Sequence, residues 1–221
     1  MNLTQQPIEK RRFIYSLFVP VLFLIVMFAV MLIGELEQWP LSTFGIRPRS
    51  TEMWWGILTS PLIHGSWSHL GSNATSFIVL FVTLLYFYRE IGYGVFGWIY
   101  LFSGIFVWLI GRDSWHVGAS GLVYGMAAFL FFSGVLRQSV SLMAISLIVI
   151  FLYGSMVWGI FPIAPHLPYS WEAHLGGTLT GMILSVVYRR RGPQRQVKVW
   201  DDDDEESDDY QGEEGDEELK N

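Results

Sequence analysis

Six stretches of the chain are apolar almost without a break: residues 13–34, 69–88, 93–111, 118–136, 139–161 and 172–188. A helix needs about 20 residues to cross a hydrocarbon core; each stretch is near that length, and the last is short. A segment inside lipid must satisfy its own backbone hydrogen bonds, and runs this long suit helices rather than the strands of a barrel. The pattern predicts an all-α membrane protein, a bundle of six transmembrane helices within residues 13–191. A segment 1–12 precedes it and a tail 192–221 follows. Lys10, Arg11 and Arg12 precede the first run, as they would in a signal peptide. That run exceeds the ~7–15 residues of a signal core, and Glu35-Leu36-Glu37 stand where a cleavage site would be, so it reads as a retained helix.

Connections between the runs are short except for a first loop, residues 35–68. It carries Pro40, Pro48 and Pro61 with Trp39, Trp54, Trp55 and Trp67, and the tryptophans suit a membrane interface. Basic residues set the orientation. With the N-terminus cytoplasmic, ten Lys and Arg between Lys10 and Lys198 fall on the cytoplasmic side and three (Arg47, Arg49, Arg112) on the other. Both termini are therefore expected in the cytoplasm of a cell with this chain in its plasma membrane.

Composition changes the picture in two places. Thirteen of the 20 Asp and Glu lie in the last 21 residues, so the net charge of −6 belongs to the tail, which reads as disordered and solvated. Cysteine is absent, which excludes disulfides, thiol catalysis and Cys-ligated metals. The one basic cluster abuts a membrane run and sits in no DNA-binding motif, so no nucleic-acid partner is expected. No internal repeat and no polar line across the membrane suggests a transporter. Oligomeric state is not set by the sequence.

Polar groups inside membrane runs are costly and mark function. Here they are few, and they converge. His69 and Asn73 share one helix face at the start of the second run, Gly118-Ala119-Ser120-Gly121 opens the fourth, and His174 lies in the first turn of the sixth. All three runs would cross from outside to inside, which puts these residues at one depth near the outer surface. A serine hydroxyl needs a general base, and His is the usual one. Asn and His side chains with a helix-start N–H can hold an oxyanion. Gly121 and Gly125 on the fourth run, and Gly177 and Gly181 on the sixth, have the four-residue spacing that lets helices approach closely. Tyr124 lies one turn from Ser120 and can reach the His174 ring. Taken singly, each residue has a packing or capping explanation; their conjunction at one depth points to chemistry. No His-Glu-x-x-His is present and no metal is expected.

From Trp54 to Tyr188 these residues resemble the rhomboid intramembrane serine proteases. His64-Gly65-Ser66-Trp67-Ser68-His69-Leu70-Gly71-Ser72-Asn73 follows that family's H-x4-H-x3-N pattern. Gly118-Ala119-Ser120-Gly121 follows its G-x-S-G pattern, and Ala173-His174-Leu175-Gly176-Gly177 through Gly181 its A-H-x2-G-x3-G pattern. The resemblance implies Ser120 as nucleophile and His174 as base of a dyad that needs no carboxylate. It implies an oxyanion hole from His69, Asn73 and the Ser120 N–H, with His64 bracing the first loop and Tyr124 stacking on the imidazole. It implies single-pass membrane proteins as substrates, reaching the site sideways between spans such as the second and fifth, and no cofactor. Glu172 is left without a role. The alternative is a non-catalytic relative that binds membrane segments; such relatives typically lack the serine or the histidine. One position departs: many members have Trp-Arg where this chain has Trp55-Gly56, which leaves the anchoring of the first loop to be explained.

Overall fold

The computed structural model describes residues 6–163 and 169–194. The acidic tail, and Pro165, His166 and Pro168 of the last connection, lie outside the described residues. Those described form an all-helical chain with one isolated bridge, Ile46 to His116. Helix α1 runs Gln6–Leu36 with Pro20 inside it, and a short α2, Gly56–Thr59, lies in the first loop. Then come α3 (Trp67–Phe87), α4 (Gly92–Ile110), α5 (Ser120–Arg137), α6 (Val140–Tyr153) and α7 (Trp171–Val187). The fifth apolar run is not α-helical throughout: past Tyr153 it tightens into a 3-10 turn, Gly154–Ile160.

Among the described residues five segments are long and apolar enough to cross a membrane: Ile8–Leu36, Trp67–Phe87, Gly92–Ile110, Ser120–Arg137 and Val140–Ile160. Helix α7, at 17 residues, is the short one. Large apolar side chains stand outward on most of these helices, among them Phe18, Ile25, Leu147 and Phe151. In water such a surface would drive aggregation; in lipid it needs no cover.

Helix α5 occupies the middle, touching α3, α4, α6 and α7, and its tightest neighbour is α7. Glycine makes that closeness possible. A Cβ on Gly177 would fall 2.0 Å from the Gly121 carbonyl oxygen, and one on Gly181 would fall 2.2 Å from that of Gly125. The two backbones therefore touch directly at the pairs that the spacing singled out. At the far end Arg137 ties the same helices together. Its Nε donates to Ser133 Oγ at 2.9 Å, and its guanidinium reaches the carbonyls of Tyr188, Arg191 and Pro193 at 2.6–2.7 Å. A cation beside the last carbonyls of a helix satisfies acceptors that have no helical partner. Helix α1 closes the other side, with Phe23 stacked on Phe77 at 5.0 Å and edge-on to Phe96 at 5.9 Å.

Candidate active site

Ser120 is the first residue of α5, and His174 lies in the first turn of α7. The glycine contacts bring the two starts together, leaving His174 Nε2 2.9 Å from Ser120 Oγ. The other ring nitrogen, Nδ1, faces the Gly159 carbonyl at 3.0 Å. A carbonyl can only accept, so Nδ1 carries the proton and Nε2 offers its lone pair to the serine hydroxyl. That is the tautomer a general base requires. The ring is held in place by aromatic contact: Tyr124 lies parallel to it at 4.0 Å and 6°, and Tyr169 at 5.5 Å and 14°. Tyr124 is fixed in turn by donating its hydroxyl to the Met156 carbonyl at 2.9 Å.

The backbone before Ser120 turns at Gly118, whose φ of +112° an L side chain rarely adopts. A Cβ there would also fall 2.8 Å from His69 Cε1 and 3.4 Å from Asn73 Nδ2. The His69 ring and the Asn73 amide therefore converge on the turn that presents the serine. Asn73 Nδ2 is buried without a hydrogen-bond partner, and a buried donor left open calls for an explanation. Leu122 and Val123 donate to the Ala119 carbonyl, whereas the Ser120 N–H at the very start of α5 has no preceding turn to accept it. The His69 ring and the Asn73 amide thus both lie at Gly118, two residues before Ser120.

His64 is buried, and its Nε2 accepts the Ala119 N–H at 3.4 Å, so it ties the first loop to the residue before the serine. Burial pulls its pKa down to about 3, helped by nearby His69 and partly opposed by the Leu62 carbonyl, so the ring stays neutral. Among the described residues no three His, Asp or Glu side chains gather as a metal-binding set.

Residues 51–191 match the model of the Rhomboid domain. The chain belongs to the rhomboid family. It is accordingly a multi-pass integral membrane protein. Rhomboid relatives of similar sequence include an uncharacterized protein of Mycobacterium tuberculosis, 31% identical over 209 residues that cover 89% of this chain and 84% of the relative. An uncharacterized protein of Mycobacterium leprae is 32% identical over 187 residues, covering 80% and 72%.

The rhomboid first loop is anchored without an arginine at position 56. A Cβ on Gly56 would fall 2.2 Å from the Gly45 carbonyl oxygen, so no side chain fits there. Other arginines do the anchoring. Arg49 Nη1 donates to the Gly111 carbonyl at 2.9 Å, and Arg47 pairs with Asp113 at 2.6 Å. Ile46 pairs backbone to backbone with His116, and Ser60 Oγ donates to the His116 carbonyl at 2.8 Å. Sequence reasoning missed Gly159, whose backbone carbonyl meets the imidazole, because nothing in a Gly-x-Phe-Pro segment signals that contact. It also missed Arg112, His116, Tyr169, Ser170 and Glu172, which form a polar cluster around the start of α7.

Proposed function

We propose that this rhomboid chain is an intramembrane serine endopeptidase, cutting single-pass membrane proteins in or near their transmembrane segments. What carries the reading is the 2.9 Å Ser120–His174 contact, with Nδ1 committed to the Gly159 carbonyl. Ser120 Oγ would attack the scissile carbonyl while Nε2 takes its proton. The oxyanion would be held by Asn73 Nδ2, His69 and the Ser120 N–H. Collapse would return the proton from Nε2 to the leaving amine and leave an acyl-serine. Water, deprotonated by the same Nε2, would then release the acid and restore the serine. A cavity of about 20 Å³ beside Ser60, Ser103, Gly118 and Gly121 has room for roughly one water. The reaction so written uses no cofactor.

The membrane arrangement belongs to the same proposal. Helix α7 is taken as a sixth span, with both termini cytoplasmic and the dyad toward the outer face of the plasma membrane. The excess of Lys and Arg at the ends remote from the dyad supports this. The helices carrying Ser120 and His174 have 18 and 17 residues, about 26–27 Å, against a hydrocarbon core of ~30 Å. The dyad then sits below the surface, where a substrate helix must unwind locally to reach it.

The test is cleavage of a single-pass substrate in liposomes. Wild type is expected to cut, and Ser120→Ala and His174→Ala to lose at least about 10³-fold in rate while staying folded. Equal cutting by the variants would overturn the dyad. A wild type inert on several substrates would favour the non-catalytic, segment-binding reading instead.

A further inference from the structure

Two residues along a helix is more than half a turn, so Glu172 points away from the dyad. It is nevertheless 1% exposed. A carboxylate at that depth needs a partner, and it has Arg112 twice over. Glu172 Oε1 accepts the Arg112 backbone N–H at 3.1 Å, and Oε2 lies 3.7 Å from Arg112 Nη1. Arg112 in turn donates Nη2 to the Tyr169 carbonyl at 2.7 Å. Tyr169 is the second ring lying parallel to His174. A chain of contacts therefore leads from a carboxylate behind the site to the imidazole in it.

The surrounding bonds make this chain stiff. His116 Nε2 faces the Arg112 carbonyl at 3.1 Å, so Nε2 carries the ring proton and Nδ1 accepts. The Ser170 hydroxyl, 2.6 Å from Nδ1, gives it its single proton. The same oxygen accepts the Ala173 N–H at 3.2 Å and so caps α7. His116 also carries the bonds to Ile46 and Ser60, and Ser60 accepts the Gly118 N–H at 3.0 Å. The end of α4, the loop before Ser120 and the start of α7 thus meet in one cluster, with the Glu172 carboxylate bridging α7 to α4.

We infer that Glu172 is a positioning residue for the reaction: through Arg112 it fixes Tyr169, and with it the seat of the His174 ring relative to Ser120. This rests on the Ser120–His174 reading. It assigns the carboxylate no contact with His174 and no part in proton transfer. A dyad base is oriented on one edge by the Gly159 carbonyl, and this cluster supplies a further restraint through stacking. Small displacements matter here, because an error of about 1 Å in a reacting pair can cost on the order of 10²-fold in rate.

The experiment measures kcat and KM on a single-pass substrate in liposomes for wild type, Glu172→Ala, Glu172→Gln, Tyr169→Ala and the Glu172→Ala/Tyr169→Ala double variant. Rates are normalised to folded protein from thermal unfolding. Glu172→Ala is expected to lower kcat by about 10- to 100-fold with KM within about twofold. Glu172→Gln, whose amide oxygen still accepts the Arg112 N–H, is expected to keep most of the rate. Tyr169→Ala should match Glu172→Ala, and the double variant should lose little more than either, because both act through one contact. Unchanged kcat in folded Glu172→Ala would overturn the inference, and so would losses that multiply in the double variant. A Ser120→Ala control separates the two readings. If that control cuts like wild type, the dyad itself falls. If it is inert while Glu172→Ala is unimpaired, only the positioning role falls.

Discussion

Gly118 shows how one missing side chain can serve three ends. Its φ of +112° turns the chain into α5, its bare Cα admits the His69 ring, and the same space lets Asn73 Nδ2 approach the turn that carries the serine. Gly118→Ala would meet both a backbone penalty of about 1–3 kcal/mol and a contact 2.8 Å from His69 Cε1. We expect kcat to fall at least about tenfold, with the helices intact by circular dichroism, since the loss falls on the proposed oxyanion donors rather than on the bundle. Unchanged kcat would show that the His69 ring makes no contribution from this position. At this scale the sequence was most legible. Ser120, His174, His69, Asn73 and Tyr124 could all be named from motif and depth, because each is a polar or aromatic group whose cost in lipid demands a reason. Gly159 could not. It acts through its backbone carbonyl, which every residue has, and its bare Cα only makes room: a Cβ there would fall 2.0 Å from the Tyr124 hydroxyl.

The pairing of α5 with α7 is the element that makes the site. Four glycines remove the side chains that would hold the two backbones apart, and the starts of both helices then fall at one level. Gly181→Leu puts a bulky side chain where a single Cβ already falls 2.2 Å from the Gly125 carbonyl oxygen. This lies more than a turn away from His174, so the proposed nucleophile and base are chemically untouched. The expected outcome is nonetheless lost cleavage together with a lower unfolding temperature, since overpacking costs about 1–3 kcal/mol and here the obstacle is backbone. Full activity would mean that the helices can separate without moving the dyad. The helices themselves were legible from length and apolarity, with ends within two residues of those observed except at the first, where α1 reaches back to Gln6, and the fifth, where α6 stops at Tyr153. The 3-10 turn was not legible. Gly154–Ile160 is as apolar as an α-helix, and its tighter winding is set by what it touches: Tyr124 and His174 take the carbonyls of Met156 and Gly159.

Among the described residues two buried neutral histidines, His64 and His116, lie outside the spans, and they make stability depend on pH. Burial lowers the pKa of His64 to about 3 and lowers that of His116 as well, the latter partly opposed by the Arg112 carbonyl and Glu172. Between the folded value and the ordinary 6.5 the unfolded chain binds more protons, so stability rises with pH through that window and is complete above it. Acidifying from pH 7 to 5 should cost on the order of 1–2 kcal/mol at His64, seen as a lower unfolding temperature. His64→Gln, which can still accept the Ala119 N–H, should flatten that slope; an unchanged slope would place the titrating group elsewhere. The global architecture was legible because lipid allows so few solutions, whereas the tethering of the first loop was not, since it depends on contacts between distant backbone segments. Those contacts also constrain how the chain can drift. A Cβ on Gly45 would fall 2.6 Å from the His116 carbonyl oxygen and one on Gly56 2.2 Å from that of Gly45, while Arg47 and Arg49 hold the loop in that close position. A variant given an arginine at position 56 would first have to loosen the loop, and one that lost Arg49 would have nothing at position 56 to fall back on. The two ways of anchoring the loop therefore exclude each other, and exchanging one for the other takes more than a single substitution.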